Sequence, residues 1–328
     1  MSVSASTPAL IALDWGTTSL RAYLLGGDGL ALDTRASSAG IMKLPAGGFD
    51  QAFEETCGVW LEAHPRLPVI AAGMIGSAQG WVEAPYVETP AGADALVAGI
   101  VKVKTARGAT VHVVPRVLRQ GALPNVMRGE ETQIFGALAS EPSLGAAGGA
   151  LIGLPGTHAK WAFVGNDRIE RFYTFMTGET FGVLRDHTIL GRTMHSGAAR
   201  DESAFIRGVE TARDAGHPGL LATIFSTRTL GLTGQLTAQQ QPDYLSGLLI
   251  GHELRGLNEV LARERSTLAG KTLRLIGNEA LCDRYRAALA RFDCHAAAMV
   301  AHATERGLYR IAAQAGFVPE PHAPVRAA

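Results

Sequence analysis

The stretch at 10–24, Leu-Ile-Ala-Leu-Asp14-Trp15-Gly16-Thr17-Thr18-Ser19-Leu-Arg21-Ala22-Tyr23-Leu24, returns in weaker form at 151–164 as Leu-Ile-Gly153-Leu-Pro155-Gly156-Thr157-His158-Ala-Lys160-Trp161-Ala162-Phe163-Val164. Each copy is an apolar run, a Gly-Thr turn and a second apolar run. Gly16/Gly156, Thr17/Thr157, Ala22/Ala162 and Tyr23/Phe163 keep a constant offset of 140 residues. A chain that repeats one strand–turn–strand unit at its start and at its midpoint is constrained to a duplicated-domain architecture. The length of 328 residues suits it, since domains commonly run to about 150 residues. The 47% hydrophobic content supplies apolar surface for two cores.

A glycine between two strands lets backbone approach a ligand, while neighbouring N–H groups and threonine hydroxyls point into the gap as donors. Two such hairpins facing each other across a cleft would hold a polyphosphate from both sides. Asp14 ends the first strand, where it can hold Mg2+ through water, because that small hard cation prefers oxygen ligands and keeps much of its hydration. The second copy has Pro155 at its strand end and adds Lys160, a point charge for phosphate. A metal on one lobe and nucleotide phosphate on the other is the expected division of roles.

Formal charge is zero and the basic residues are scattered, so the electrostatic footprint of a nucleic-acid binder is absent. Cys57, Cys282 and Cys294 show no CxxC and no zinc spacing, and read as buried reduced thiols of a cytoplasmic protein. The N-terminal Met-Ser-Val-Ser-Ala-Ser-Thr-Pro has no basic leader, and no segment reaches the ~20 apolar residues of a membrane span. The expected partner is a small molecule, not nucleic acid or membrane. The sequence is silent on oligomeric state, a homodimer being one option.

Along the chain, strands are expected at Ile11–Leu13, Arg21–Leu25 and about Leu30–Thr34, a helix at about Asp50–Leu61, and a buried strand at Val69–Gly73 running into the loop Met74-Ile75-Gly76-Ser77. A helix over Ala93–Val101, a strand at Thr110–Val114 and a helix beginning near Glu130-Glu131 follow, the order of a mixed sheet with helices on its faces. Gly145–Gly149 reads as a joint and places the boundary between domains 1–145 and 146–328. Beyond the second hairpin, a long helix is expected at Pro242–Arg265, whose Gly247/Gly251 spacing predicts close helix packing. A strand at Thr272–Ile276 turns at Gly277-Asn278 into a helix carrying Leu281, Tyr285 and Leu289, a unit that suits an adenosine pocket.

Six motifs in this order resemble the 2-dehydro-3-deoxygalactonokinase family, in the sugar kinase branch of the actin-like ATPase superfamily. They are Ala12–Ala22, Ala72–Ser77, Val126-Met127-Arg128-Gly129-Glu130-Glu131-Thr132-Gln133, Leu154–Trp161, Phe175–Glu179 and Tyr244–Gly251. Any one is weak; their ordered combination, spanning nearly the whole chain, is specific. Two positions depart from the pattern: Asn125 where an Asp precedes the Val-Met-Arg run, and Arg116 where a Pro-Gly turn is expected.

The resemblance implies an α/β fold of two duplicated actin-like ATPase (ribonuclease H-like) domains with an inter-domain cleft, and transfer of the ATP γ-phosphoryl group to the 6-hydroxyl of 2-dehydro-3-deoxy-D-galactonate with ATP and Mg2+ as cofactors. It implies phosphate contacts from Gly16, Thr17, Thr18, Ser19 and Arg21 and from Gly156, Thr157, His158 and Lys160. Adenosine contacts come from Gly277, Asn278 and Leu281. Substrate contacts come from Met74, Ile75, Gly76, Arg128, Thr177 and Glu179. The chemistry needs a carboxylate to take the hydroxyl proton; the acidic pair supplies it, with Glu131 favoured over Glu130 by the register of related phosphate-handling proteins.

Blander readings stand beside these. Glu130 and Glu131 also suit a first helical turn, where acids favour the positive end of the macrodipole. Arg128 can clamp a substrate carboxylate or pair with Glu131. His158 can donate to phosphate or cap its loop, Lys160 can be a surface residue, and His252-Glu253 lacks the second histidine of a metal site. Trp15 and Trp161 read as packing residues. Competing functions are an exopolyphosphatase-like hydrolase on the same fold, a kinase for the gluconate-derived epimer, and a nucleotide-gated assembly module. Closure of the two lobes over substrate is expected to exclude water.

Overall fold

The computed structural model describes residues 7–195, 197, 200–214, 216 and 218–320; the N-terminal stretch read for a leader lies outside them up to Ser6. Chain order is β1 (Pro8–Trp15), β2 (Leu20–Gly26), β3 (Ala31–Ser37), α1 (Phe49–Ala63), β4 (Val69–Gly73), β5 (Tyr86–Glu88), β6 (Ala91–Gly92), α2 (Ala93–Ala98), β7 (Val101–Lys104), β8 (Thr110–Val113), β9 (Arg116–Arg119), β10 (Asn125–Met127) and α3 (Glu130–Ser140). The second hairpin follows as β11 (Ala150–Leu154) and β12 (Ala159–Gly165), with β13 (Arg168–Phe175) and α4 (Thr177–His187) after it. Then come α5 (Glu202–Arg213), α6 (Leu220–Thr223), α7 (Ser226–Leu232), α8 (Gln241–Arg263), β14 (Leu273–Leu275), α9 (Glu279–Ala290), β15 (Ala298–Met299) and α10 (Ala303–Gln314).

These elements form two compact units, one from the described parts of Met1–Gly149, Ala162–Phe172 and Val300–Ala328, the other from Ala150–Trp161 and Tyr173–Met299. The first boundary falls at Gly149, at the end of the glycine-rich joint. The returns of the chain to the first unit at Ala162 and Val300 leave no mark in the hydrophobic pattern.

In the first unit a sheet of order β3-β2-β1-β4-β8-β7 is antiparallel at β1/β2 and parallel at β1/β4 and β4/β8. Alternation along β1 sends Ile11, Leu13 and Trp15 to one face, where they pack with Phe53, Cys57, Trp60 and Leu61 of α1. Helix α10 packs on β1, β2 and β4, and α3 packs on α10. A separate three-stranded sheet, β10-β9-β5, extends this unit. The helix expected over Ala93–Val101 is corrected: α2 stops at Ala98, and Val101 opens β7, which pairs antiparallel with β8. Val-Lys-Val-Lys at 101–104 alternates with period two, so the edge-strand pattern overrides the helical one there.

In the second unit β11 pairs in parallel with β14, and β14 with β15. Helices α5 and α8 cross in close contact. A Cβ on Gly247 would lie 1.9 Å from the Phe205 carbonyl oxygen, and one on Gly251 2.7 Å from Ala212 Cβ, so the GxxxG spacing serves helix packing. The three cysteines are free and buried. No helix among the described residues is long and apolar enough to cross a membrane.

Candidate active site

The Gly16–Ser19 turn closes where the Gly16 N–H donates to the Ser19 carbonyl at 2.9 Å, leaving Thr17 and Thr18 exposed. The segment after β3 braces it: Ile41 N–H donates to the Gly16 carbonyl and Met42 N–H to the Thr17 carbonyl, at 3.1 and 3.2 Å. A Cβ on Gly40 would stand 2.2 Å from Thr18 backbone, so only glycine fits at that approach. Sequence reasoning passes over Gly40, because its partner is distant in the chain and no local pattern marks it. Trp15 is fully buried, its indole N–H donating to the Ala39 carbonyl at 2.7 Å.

Asp14 faces Arg21 at 3.9 Å. Burial raises the Asp14 pKa; Arg21 opposes this, and the charges of Glu130 and Glu305 add to it. Asp14, Glu130 and Glu305 therefore share one electrostatic neighbourhood. Glu305 arrives on α10 from the far end of the sequence, which is why the motifs do not reveal it. No group of three or more acidic, histidine or cysteine ligands in the described residues chelates a metal directly. A single carboxylate in a field made negative by two others fits an ion held chiefly through water and phosphate oxygens.

Gly129 precedes α3 with φ +103°, a left-handed conformation that favours glycine, and packs against Gly73, whose φ is +99°. This contact sets the loop Met74-Ile75-Gly76 beside the start of α3. The two glutamates then differ. Glu131 is 1% exposed, and both its carboxylate oxygens accept the Gly129 N–H at 2.8 Å. Burial, reinforced by Glu130, pushes its pKa up to about 8. Glu130 is half-buried, with one oxygen accepting the Arg128 N–H at 2.8 Å. Arg128 makes no side-chain bond to Glu131; its Nη1 approaches Met74 Sδ at 3.2 Å and its Nη2 the Tyr86 hydroxyl at 3.3 Å.

A carboxyl whose folded pKa lies above its unfolded value favours the fold at low pH. Its contribution is fully present below the unfolded value near 4.5 and is lost as pH rises through about 8. In Glu131→Gln, which keeps an oxygen for the Gly129 N–H, urea midpoints at pH 5 and pH 8 are expected to lie closer together than in the unmodified protein. An unchanged pH dependence would exclude a buried, proton-holding Glu131.

In the second unit a cavity of about 670 Å³ is lined by Gly156, Thr157, Thr177, Asn278, Leu281 and Tyr285, among others. That volume lies in the range of small-molecule sites. It brings together the Gly156-Thr157 turn and the turn after β14, with Gly277 beside Asn278, which caps α9 by accepting the Leu281 N–H at 3.2 Å. The N-termini of α4 and α9 both reach the cavity wall, and orphan N–H groups at helix starts favour anions. A Cβ on Gly178 would lie 2.5 Å from the Gly156 carbonyl oxygen, so α4 seats directly on the Gly156-Thr157 turn.

His158 is exposed and pairs with Glu179, while the Glu179 N–H donates to the Thr157 carbonyl at 3.0 Å. Lys160 is buried, not a surface residue, and its ammonium donates to the His158 carbonyl at 3.1 Å. Thr177 donates to Glu253, which also accepts from the Trp161 indole N–H at 2.6 Å and the Tyr285 hydroxyl at 2.8 Å. Burial lifts the Glu253 pKa to about 7 against these hydrogen bonds. Glu253 thus ties α8 to β12, α4 and α9, the elements around the cavity. The sequence shows it only as one half of an incomplete metal pattern.

The family model for 2-keto-3-deoxy-galactonokinase matches residues 14–311. The Escherichia coli (strain K12) 2-dehydro-3-deoxygalactonokinase is 34% identical over 294 residues, 89% of this chain and 93% of that protein. A Rhizobium meliloti (strain 1021) protein named "Probable 2-dehydro-3-deoxygalactonokinase" is 38% identical over 282 residues, covering 85% and 88%. A Sinorhizobium meliloti crystal structure carrying the same enzyme name superposes with TM-score 0.79 at 34% identity over 93% of this chain and 98% of that one. The chain shares the fold of that structure and belongs to the 2-keto-3-deoxy-galactonokinase family.

Proposed function

We propose that this protein transfers the γ-phosphoryl group of ATP to the 6-hydroxyl of 2-dehydro-3-deoxy-D-galactonate in the cytoplasmic catabolism of galactonate. Family membership supports the reaction class, and the observation that carries the chemistry is the half-buried Glu130 whose charge is felt by Asp14 beside the Gly16–Ser19 turn. The hydroxyl proton passes to the Glu130 carboxylate as O6 attacks phosphorus; the bond from the γ-phosphorus to the bridging oxygen breaks, ADP leaves, and a phosphate monoester forms at C6. Glu130 is preferred over Glu131 because a base must reach its proton, and Glu131 is sealed with both oxygens on one backbone N–H.

In the second unit, Gly277, Asn278 and Leu281 receive adenosine, while Gly156, Thr157 and His158 receive phosphate, backed by the buried Lys160. In the first unit, Gly16, Thr17, Thr18, Ser19 and Arg21 donate to phosphate, and Asp14 is the residue that would hold Mg2+ through water. Bound there, the ion would supply charge neutralisation for the transferred group. Met74, Ile75, Gly76 and Arg128 face the sugar acid. Thr177 and Glu179, bonded to Glu253 and His158, support the second phosphate turn instead of contacting sugar.

Release of ADP from Mg-ATP, measured with and without the galactonate-derived acid, tests the reading. Turnover strictly dependent on the acid is expected. Phosphate release from ATP or polyphosphate without acceptor would replace it with the hydrolase. Running the gluconate-derived epimer alongside measures the preference at C4.

A further inference from the structure

Arg128 is a cation with weak partners. Its Nε is buried and has no hydrogen-bond acceptor, Nη1 meets only a thioether sulfur, and Nη2 meets a neutral phenol at the long distance of 3.3 Å. Thioethers are weak acceptors, and a planar guanidinium is best satisfied by a carboxylate bound through two parallel bonds. Among the described residues no carboxylate hydrogen-bonds to this side chain. The neighbouring Glu130 and Glu131 direct oxygens to the backbone N–H groups of Arg128 and Gly129 instead.

The guanidinium is nevertheless firmly presented. Met127 pairs with Val117 across β10 and β9, and Tyr86 pairs with Arg116 across β5 and β9, so Arg128 leaves the small sheet at a fixed register. Arg116 is buried, stacks its guanidinium carbon 3.9 Å from the Tyr86 ring centroid, and is held by Glu83 at 3.2 Å. The Arg116–Tyr86 stack fixes the phenol that in turn contacts Arg128. Both departures from the family pattern, Arg116 and Asn125, fall in this sheet.

We infer that Arg128 binds the carboxylate of the 2-keto acid substrate, making the enzyme selective for sugar acids over neutral sugars, and that Tyr86, backed by Arg116, is its positioning residue. The inference rests on the kinase reading above. Arg128 and Glu130 lie two residues apart, and the two ends of a six-carbon acid lie about 6 Å apart by standard bond lengths, so one short segment can serve the carboxylate and the reacting hydroxyl.

The test compares 2-dehydro-3-deoxygalactonate with its C1 primary amide, a neutral near-isostere, in the unmodified enzyme and in Arg128→Gln and Tyr86→Phe variants. In Arg128→Gln the KM for the acid is expected to rise about 10- to 100-fold, the loss of a charge-assisted pair, while the KM for ATP stays constant. Activity on the amide, which offers no carboxylate to Arg128, is expected to fall far less than activity on the acid, so the preference for acid collapses. Tyr86→Phe is expected to raise the KM for the acid several-fold with kcat preserved, an effect that general loss of structure would not confine to one substrate. An Arg128→Gln enzyme that keeps the acid-to-amide ratio overturns the inference alone. An unmodified enzyme inactive on the acid overturns the kinase reading and the inference with it.

Discussion

Glu130→Gln is expected to lower kcat by about 10²- to 10⁴-fold, the usual contribution of a positioned general base, with little change in the KM for ATP. This corresponds to roughly 3–5 kcal/mol of activation free energy. Glutamine keeps an oxygen for the Arg128 N–H, so the start of α3 is preserved and the loss falls on proton transfer. Glu131→Gln is expected to retain most of kcat, because its carboxyl serves the Gly129 turn from a buried position. Steady-state kinetics on the two variants separates the roles. A Glu131→Gln enzyme as impaired as Glu130→Gln is expected to be, with Glu130→Gln nearly intact, would reverse the assignment and mean that Glu131 turns outward during turnover.

Gly136→Val is expected to abolish or severely reduce folding, with a cost of at least about 3 kcal/mol. Helices α3 and α10 approach so closely that a Cβ on Gly136 would stand 1.8 Å from the Ala303 carbonyl oxygen, and one on Gly307 1.7 Å from that of Thr132. Those neighbours are backbone, which cannot rotate aside as a side chain can. The crossing carries Glu130 and Glu131 on one helix and Glu305 on the other, so any folded remnant of the variant is expected to lose activity as well. Urea unfolding followed by circular dichroism measures the effect. A midpoint equal to that of the unmodified protein would show that the helices do not cross at this glycine pair.

The sequence made the hairpins visible because strand alternation and turn glycines are local signals: β1, β2, β11 and β12 follow directly from the repeated unit, and β4 lies at the expected residues. The Gly247/Gly251 spacing likewise reads as packing because helical period is local. What escaped is what depends on distant partners. Gly40 braces a turn far earlier in the chain, Gly307 and Glu305 ride on a helix that returns to the first unit, and the strands of the small sheet are too short to show a period. Glu253 looks like half of a metal motif until the fold brings Trp161, Thr177 and Tyr285 to it. The acidic pair was legible as a pair; only burial distinguishes its two members.

The most direct test of phosphoryl transfer to the sugar acid is proton-coupled 31P NMR of the product formed from Mg-ATP and 2-dehydro-3-deoxygalactonate. A new monoester resonance coupled to the two C6 methylene protons is expected, appearing in step with ADP. Inorganic phosphate as the sole new phosphorus species, or an ester on another carbon, would contradict it.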